Sequence, residues 1–195
     1  MEKRTNVISI VVGRRGTGKT DFIKSVINST QLPKTLIVDT FDNPPWRNMK
    51  THSNPEGVNR SIQIMEIQNL SRWNKGVFRF FSKDRHQLFT EIEANSWDTL
   101  IVFEDATKYI KRTLSPEIND LIIDSKQKNL DLIFVFHSLT AVPPDLVRAA
   151  DLLTLFKTAD GKVSLEKYPW AEIPHMMDHL RKSSNRFENI TIQLQ

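Results

Sequence analysis

The sequence predicts an α/β protein whose core is a mostly parallel β-sheet. Short apolar runs typical of buried strands alternate along the chain with segments of helical pattern. The first apolar run leads into a glycine-containing turn and then a helical pattern, as at the start of a βαβ unit. The chain has 195 residues and no cysteine, so it must be held together by a hydrophobic core, which suits one domain.

The first half of the chain is predicted to alternate strands and helices on either side of an irregular segment. Apolar and β-branched residues dominate the predicted strands. Residues 41–60 contain Pro44, Pro45, Pro55 and Gly57, which interrupt regular structure. Strands are predicted at residues 6–12, 35–39, 61–67 and 77–81, with helices at about 18–28 and 84–94, the second capped by Ser82.

The second half of the chain gives clearer signals. Strands are predicted at Thr99–Phe103, Leu130–Phe136 and Leu152–Phe156, which are apolar almost throughout, as in parallel strands covered on both faces. Ser115 followed by Pro116 predicts a helix start, because serine caps well and proline is tolerated in the first turn. A second proline pair, at 143 and 144, opens a short helix to residue 150.

A helix and a strand are predicted near the end of the sequence. Apolar residues at spacing i, i+3, i+4 and i+7 form one helical face: Ile173, Met176, Met177 and Leu180. This face either packs on the core or docks a partner subunit. Alternating apolar residues at 190, 192 and 194 predict a half-buried strand. The prediction is one domain over residues 1–195, with a core at about 5–158 and this helix and strand at 168–195.

Residues 13–20 match the phosphate-loop pattern G-x-x-x-x-G-K-[ST] in full. Glycines let the backbone turn with its N–H groups pointing inward, and the following helix adds its positive end, so the loop forms an anion cradle. Lys19 is predicted to neutralise the β- and γ-phosphates of ATP, and the Thr20 hydroxyl to bind Mg²⁺. The predicted nucleotide-binding residues are Gly13, Arg14, Arg15, Gly16, Thr17, Gly18, Lys19, Thr20 and Asp21.

Two arginines inside the loop leave two interpretations open. Either Arg14 or Arg15 reaches the γ-phosphate in cis, or both face solvent or a neighbouring subunit. A guanine-specific motif is missing, because the sequence from Asn74 reads Asn-Lys-Gly-Val and lacks the aspartate. That favours ATP over GTP.

Two carboxylates, Glu104 and Asp105, follow the strand Thr99–Phe103. Carboxylates at the carboxyl edge of a parallel sheet lie where ligands bind in open α/β folds. Glu104 is predicted to hold Mg²⁺, and Asp105 to orient or deprotonate the attacking water. The predicted metal ligands are therefore Thr20, Glu104 and Asp105. The alternative is a polar pair that only closes a strand.

His137 and Ser138 end the next buried strand at the same edge. One of them is predicted to sense the γ-phosphate by hydrogen bonding, and His137 is the candidate catalytic residue; a structural histidine is the alternative. The other histidines, at 52, 86, 175 and 179, show no metal-ligand spacing with acidic partners.

These residues, with the turn Val142-Pro143-Pro144-Asp145-Leu146 before a further strand, resemble the FtsK–HerA superfamily of P-loop ATPases. Within it, the chain is similar to viral genome-packaging ATPases and to Zot-like ATPases of filamentous-phage assembly. The resemblance covers about residues 5–158. It implies a three-layer P-loop NTPase sandwich of RecA/ASCE-like type and an ATPase in the host cytoplasm or the virion.

The same resemblance implies a ring of five or six subunits that translocates double-stranded DNA, with viral capsid or membrane assembly proteins as further partners. Three departures from the family pattern affect this expectation, and the first is that the family's sensor is often Gln, where this chain has His137 or Ser138. The family's strand usually ends Asp-Glu, and the reversed order here shortens the water-activating side chain, which implies slow hydrolysis. Lys126 and Lys128 stand where some members carry arginine, so a finger acting in trans falls to Arg112 or Arg148.

Two other classes of function stay open beside the motor. A small-molecule kinase shares the phosphate loop and the size, but the sequence shows neither an arginine-rich lid nor an acceptor pocket. A nucleotide-dependent assembly factor with little turnover fits the reversed carboxylates. The net charge of +4 is compatible with nucleic acid without requiring it.

Several basic segments are candidate DNA contacts, with a solvated surface as the alternative for each. They are residues 41–60 with Trp46, Arg47 and Lys50; Lys108, Lys111 and Arg112; and Arg181, Lys182 and Arg186. The first apolar run, residues 7–12, is too short to span a bilayer and ends in a glycine loop, so a strand is predicted there instead of a signal peptide. No later stretch is predicted to span a membrane.

Overall fold

The computed structural model describes residues 6–39, 46, 67–80, 85–161, 168 and 170–194. The predicted irregular segment 41–60, apart from Trp46, and the predicted cap Ser82 lie outside these residues. So does the predicted strand 61–67, except for Ile67, which begins a 3-10 turn at Ile67–Arg72.

Seven strands of the described residues form one sheet in the order β3-β2-β4-β5-β1-β6-β7. They are β1 Ile8–Val12, β2 Lys34–Val38, β3 Gly76–Phe80, β4 Thr99–Phe103, β5 Leu130–Phe136, β6 Leu152–Phe156 and β7 Asn189–Gln193. The first six are parallel, and β7 pairs antiparallel with β6. The predicted mostly parallel sheet is confirmed.

Five helices of the described residues flank this sheet, and the core residues show which face each covers. The helices are α1 Lys19–Ser29, α2 Arg85–Asn95, α3 Pro116–Asp124, α4 Pro144–Ala149 and α5 Glu172–Lys182. On one face, Ile23 and Ile27 of α1 pack with Val11, Ile37 and Val102 of the strands. On the other face, α2, α3, α4 and α5 pack against the alternate strand residues. The three-layer α/β sandwich predicted for a P-loop NTPase is confirmed.

The register brings four strand ends to one edge of the sheet. β5 lies between β1 and β4, pairing Val12 with Phe136 and Phe103 with Phe134. β4 in turn pairs with β2 on its far side. Because all four strands are parallel, the segments that follow β1, β2, β4 and β5 meet at the carboxyl edge. One strand, β5, thus lies between the phosphate-loop strand β1 and the carboxylate strand β4.

The terminal helix and strand behave as the sequence indicated. Ile173, Met176, Met177 and Leu180 are all buried against the sheet, so the predicted face of α5 packs on the core. In β7, exposed residues alternate with half-buried Ile190 and Ile192. Among the described residues, no helix has both the length and the apolar character needed to cross a membrane.

Candidate nucleotide site

The phosphate loop leaves β1 at Val12 and enters α1 at Lys19, and the sheet fixes both ends. The Gly13 amide donates to the Phe136 carbonyl of β5 at 3.1 Å, and the Arg14 amide donates to the Lys157 carbonyl after β6 at 2.8 Å. Gly16 and Gly18 adopt φ values of 77° and 92°, a conformation that favours glycine. A Cβ at position 13 would lie 2.5 Å from the Phe156 Cβ, so that position also requires glycine.

Lys19 folds back over the loop instead of extending into solvent. It is buried, and its Nζ donates to the carbonyls of Gly13 and Arg14, the second at 3.0 Å. Burial lowers the pKa of Lys19, while the negative charges of Glu104 and Asp105 oppose that shift. The ammonium therefore lies at the centre of the loop, with two acidic side chains near it.

Glu104 points toward the start of α1 and is buried. The Thr20 hydroxyl donates to its Oε1 at 3.5 Å, and its Oε2 has no hydrogen-bond partner. Burial and the nearby charge of Asp39 raise the pKa of Glu104 to about 7, with Lys19 acting in the opposite direction. A buried, unpartnered carboxylate oxygen beside a threonine hydroxyl is suited to receive a cation.

These residues fit Mg²⁺ together with a nucleotide. Within the described part of the chain, no group of three or more His, Asp or Glu side chains could hold a metal ion by itself. Mg²⁺ in nucleotide sites is usually held by one or two side chains plus the phosphates, and it keeps several waters. Thr20 and the free Oε2 of Glu104 match such a partial shell.

Asp105 lies beside Glu104 but in a different environment. Its backbone is left-handed, with φ 51°, and its Oδ1 accepts from the Thr107 hydroxyl at 2.6 Å. The Lys108 Nζ lies 3.1 Å from its Oδ2. Burial acts to raise the pKa of Asp105, but the hydrogen bonds from Thr107 and Lys108 and the charge of His137 outweigh it, so the pKa is lowered. Asp105 is thus an ionised carboxylate at neutral pH.

The side chains of His137 and Ser138 have different surroundings. His137 is half-exposed, with Nδ1 3.5 Å from the Lys19 Nζ and Nε2 3.5 Å from the Asp105 Oδ1. Burial and the positive charge of Lys19 lower the pKa of His137, with Asp105 opposing them, so the ring is neutral at pH 7. Ser138 instead donates to the Oδ1 of Asp160 at 2.5 Å. His137 is therefore the residue that faces the site.

Two acidic residues of this region were not assigned from the sequence. Asp39 follows β2, is buried and lines the same cleft as Glu104. A polar residue at the end of a buried parallel strand was an available signal for it. Asp160 accepts from Ser138, from the Leu139 amide at 2.7 Å and from the Thr140 hydroxyl at 3.0 Å, which fixes the turn after β5. No comparable local pattern in the sequence points to Asp160.

The cleft formed by these elements has a volume of about 900 Å³. Every predicted nucleotide-binding residue except Gly13 and Thr17 lines it, as do Glu104, Asp105 and His137. Gly13 and Thr17 lie beneath the loop surface, where the Thr17 hydroxyl donates to the Arg14 carbonyl at 2.9 Å. The structure thus brings the predicted site residues together at the carboxyl edge of the sheet.

The candidate DNA contacts give a more varied result. The prediction for Trp46 is wrong, because its side chain is fully buried in the cluster with Ile37 and Val102. Lys108 lies in the cleft beside Asp105. Lys111 and Arg112 are exposed, as are Arg181 and Lys182. Arg47 and Lys50 lie outside the described residues.

The candidate arginines and lysines for a finger also differ in their surroundings. Arg14 and Arg15 are exposed and line the cleft. Lys128 is paired with Glu93 and with Asp124, so its ammonium is already engaged. Arg148 forms an exposed pair with Asp145 on its own helix.

A last contact reaches the loop from the segment between α5 and β7. The Arg186 Nε donates to the Gly16 carbonyl at 2.6 Å, so this residue does touch the phosphate loop. Phe187 lies next to Gly18 and lines the cleft. Sequence reasoning named Arg186 but missed Phe187.

The environment of Glu104 predicts how stability depends on pH. The folded protein binds more protons at Glu104 than the unfolded chain between pH 4.5 and about 7. The contribution of Glu104 to stability should therefore fall as pH rises through that window, by about 3 kcal/mol. Because glutamine resembles the protonated form, Glu104→Gln should be more stable than the wild type at pH 8 and similar at pH 5.

This dependence is measured by urea unfolding without nucleotide or Mg²⁺ at pH 5 and pH 8. Glu172→Gln, at an exposed position on α5, is the control and should follow the wild type at both pH values. Equal pH dependence in the wild type and Glu104→Gln would contradict the prediction.

The sheet order, the flanking helices and the phosphate loop together define the P-loop NTPase fold. No family model matches the sequence, and no curated protein matches it. Among solved structures, the chain is similar to the genome-packaging NTPase B204 of Sulfolobus turreted icosahedral virus 2. With bound ATP-gammaS, that protein gives a TM-score of 0.70 at 14% identity, covering 100% of this chain and 94% of that chain.

Two further structures show the same likeness. The B204 complex with sulfate gives a TM-score of 0.73 at 17% identity, covering 98% of this chain and 93% of that chain. The N-terminal domain of zonular occludens toxin from Neisseria meningitidis gives a TM-score of 0.51 at 11% identity, covering 80% of this chain and 79% of that chain. The resemblance to packaging and Zot-like P-loop ATPases is thereby confirmed at the level of the fold.

Proposed function

We propose that this protein hydrolyses ATP with Mg²⁺ and uses the energy as an oligomeric motor on double-stranded DNA, in viral genome packaging. One observation carries the ATPase part. Lys19, Thr20, Glu104, Asp105 and His137 come from three separate segments and meet in one cleft at the carboxyl edge of the sheet.

Each side chain has a role that follows from its surroundings. The amides of the loop and the Lys19 ammonium bind and orient the triphosphate. Thr20 and Glu104 hold Mg²⁺, which when bound neutralises charge on the β- and γ-phosphates. Because its pKa of about 7 leaves part of Glu104 protonated at neutral pH, binding of the cation would displace that proton. Nucleotide and metal binding should therefore be coupled to proton release.

Asp105 is the group that acts on the attacking water. It is ionised, and Thr107 and Lys108 fix its orientation. Its Oδ1 lies 3.5 Å from the neutral His137 ring, which in turn lies 3.5 Å from the Lys19 Nζ. A water held between this carboxylate and the γ-phosphate can pass its proton to Asp105 as it attacks. His137 is proposed to hydrogen-bond the γ-phosphate and to sense its loss on hydrolysis.

The DNA-motor part rests on the likeness of fold. One similar structure is described as the DNA-packaging ATPase of Sulfolobus turreted icosahedral virus, with a TM-score of 0.62 at 12% identity, covering 96% of this chain and 92% of that chain. We propose the same activity here, in a ring of five or six one-domain subunits in the host cytoplasm or the virion. Capsid or membrane assembly proteins would be the other partners.

In such a ring, an arginine from one subunit completes the site of the next. Arg112 is exposed, and Arg148 forms an exposed ion pair with Asp145, of a kind that contributes little stability. Both are candidates for this role. Arg14 and Arg15, which line the cleft of their own subunit, are the alternative in cis.

The motor is tested by measuring the steady-state ATPase rate with and without duplex DNA. Duplex DNA should raise the rate at low salt, and the stimulation should fall steeply between about 50 and 200 mM salt, because phosphate contacts release counterions. Arg112→Ala and Lys111→Ala should reduce the stimulation if these exposed side chains contact DNA. Absence of stimulation in the assembled protein at low salt would rule out the motor.

A second function, a nucleotide-dependent assembly factor of the Zot-like type, is favoured by one observation. Asp105 is a short carboxylate already engaged by Thr107 and Lys108, which suits slow hydrolysis. In that case ATP would drive oligomer formation, and turnover would stay near background with or without DNA. The same rate measurement, combined with the native mass in the presence of ATP-gammaS, separates the two functions.

A further inference from the structure

Phe187 is an exposed aromatic side chain that the proposed chemistry does not use. Its side chain is 60% exposed, and it is one of three large apolar residues with high exposure in the described part of the chain. The other two, Trp97 and Ile123, do not line the nucleotide cleft, whereas Phe187 does. Single exposed apolar residues are common, so position and rigidity decide whether one has a function.

The ring lies directly against the phosphate loop. A Cβ built on Gly18 would lie 3.1 Å from the Phe187 Cδ1, so the ring covers the residue that precedes α1. The neighbouring Arg186 donates from Nε to the Gly16 carbonyl at 2.6 Å, and its Cζ lies 5.9 Å from the centre of the Phe187 ring. The aromatic face is therefore anchored to the loop through the adjacent residue.

The turn that carries Phe187 is fixed independently of the loop. The Phe187 amide donates to the Asn185 Oδ1 at 2.9 Å, and the Asn185 amide donates to the Ser183 Oγ at 3.1 Å. The Lys157 ammonium donates to the Ser183 carbonyl, which ties the turn to the segment after β6. An exposed ring held in this way is preorganised for a ligand, because little side-chain or loop entropy is lost on binding.

We propose that Phe187 is the platform on which the base of the bound nucleotide stacks. The inference rests on the proposed nucleotide binding and extends it from the phosphates to the base. Glu104, Asp105 and His137 gather around Lys19 and Thr20, where the terminal phosphate belongs, while Phe187 covers Gly18. When the γ-phosphate of a nucleotide lies beside these carboxylates, its nucleoside must lie in the remainder of the cleft, which Phe187 lines.

The chemistry of the platform determines its selectivity. A phenyl ring over a glycine offers a flat apolar face and no hydrogen-bonding group, so it recognises the face of a base and not its edge. Base–aromatic stacking tolerates any base, because every base has a π-face. Strong discrimination between bases would need hydrogen bonds to their edges. Removing the ring should therefore weaken the binding of ATP and the binding of GTP by the same factor.

The experiment compares the dissociation constants of Mg-ATP, Mg-GTP and Mg-tripolyphosphate by calorimetry. Tripolyphosphate presents the same phosphate chain without a base. Phe187→Ala should raise the dissociation constants of ATP and GTP about 5–100-fold, as expected for one stacked base. That of tripolyphosphate should not change. Phe187→Tyr should bind ATP and GTP with wild-type affinity. Phe187→Leu should lose most of the affinity that stacking provides, because leucine lacks an aromatic face.

Trp97→Ala is the matched control, since it removes another exposed aromatic ring that lies before β4 and away from the cleft. It should leave all three constants unchanged. The platform is overturned if Phe187→Ala binds ATP as tightly as the wild type, or if tripolyphosphate weakens by the same factor. Equal wild-type affinity for ATP and tripolyphosphate would also overturn it, while leaving phosphate binding intact. Failure of the wild type to bind either ligand would overturn the proposed function itself.

Discussion

Replacing Lys19 by alanine is expected to lower kcat/KM for ATP hydrolysis by about 100–1,000-fold, the effect of removing one preorganised charged donor from an active site. The native ammonium is held by the Gly13 and Arg14 carbonyls and is close to His137. It therefore needs little reorganisation to meet the charge that develops on the phosphates. Steady-state phosphate release measures the effect.

Lys24→Ala provides a matched control for this variant. Lys24 lies on the same helix, one turn beyond the site, and pairs at 3.6 Å with the exposed Asp21. Its removal should change the hydrolysis rate little. Circular dichroism should show that both variants are folded. If Lys19→Ala hydrolyses ATP like the wild type, the loop is not the nucleotide site and the proposed ATPase is wrong.

The phosphate loop was predictable because its signal is local. A strand, a glycine turn, a lysine and a helix follow one another within one short segment, and each has a fixed backbone requirement. The strands Thr99–Phe103, Leu130–Phe136 and Leu152–Phe156 have the predicted ends. Their composition alone is enough, since a parallel strand covered on both faces is apolar along nearly its whole length.

Residues that depend on strand order were not predictable in the same way. Asp39 acts on Glu104 only because β2 pairs with β4, with Val38 opposite Phe103. Phe187 reaches Gly18 because it precedes β7, which pairs antiparallel with β6, and β6 in turn pairs with β1. No local sequence pattern specifies either pairing, and neither residue is assigned to the site from the sequence.

Trp46 shows the opposite failure. A tryptophan among prolines and basic residues was interpreted as part of a surface loop, but the sheet face carrying Ile37 and Val102 needs an apolar cover. Burying a large aromatic ring lowers the free energy of the folded state more than leaving it exposed. The polar and basic neighbours of Trp46 in the sequence therefore do not decide where its side chain lies.

Exchanging each carboxylate for its amide is expected to separate the two roles proposed for the acidic pair. Asp105→Asn should lower kcat by about 100–10,000-fold, the contribution expected of a general base, while ATP affinity stays close to that of the wild type. Glu104→Gln should mainly weaken Mg-dependent ATP binding, since Thr20 is the nearest partner of Glu104. Rate measurements at saturating ATP and titrations with and without Mg²⁺ distinguish these effects.

Asp98→Asn is the control for the Asp105 exchange, because Asp98 precedes β4 in the same left-handed conformation, with φ 51°. Asparagine tolerates this conformation as aspartate does, so the exchange tests the backbone without touching the cleft. Its activity should equal that of the wild type.

The two roles are reversed if Asp105→Asn loses Mg-dependent ATP binding while Glu104→Gln lowers only kcat. In that case Asp105 would bind Mg²⁺, and Glu104 would act on the attacking water. The contacts of the two side chains argue against that outcome: the buried, unpartnered oxygen that a cation would satisfy belongs to Glu104, and the ionised carboxylate oriented by its neighbours belongs to Asp105.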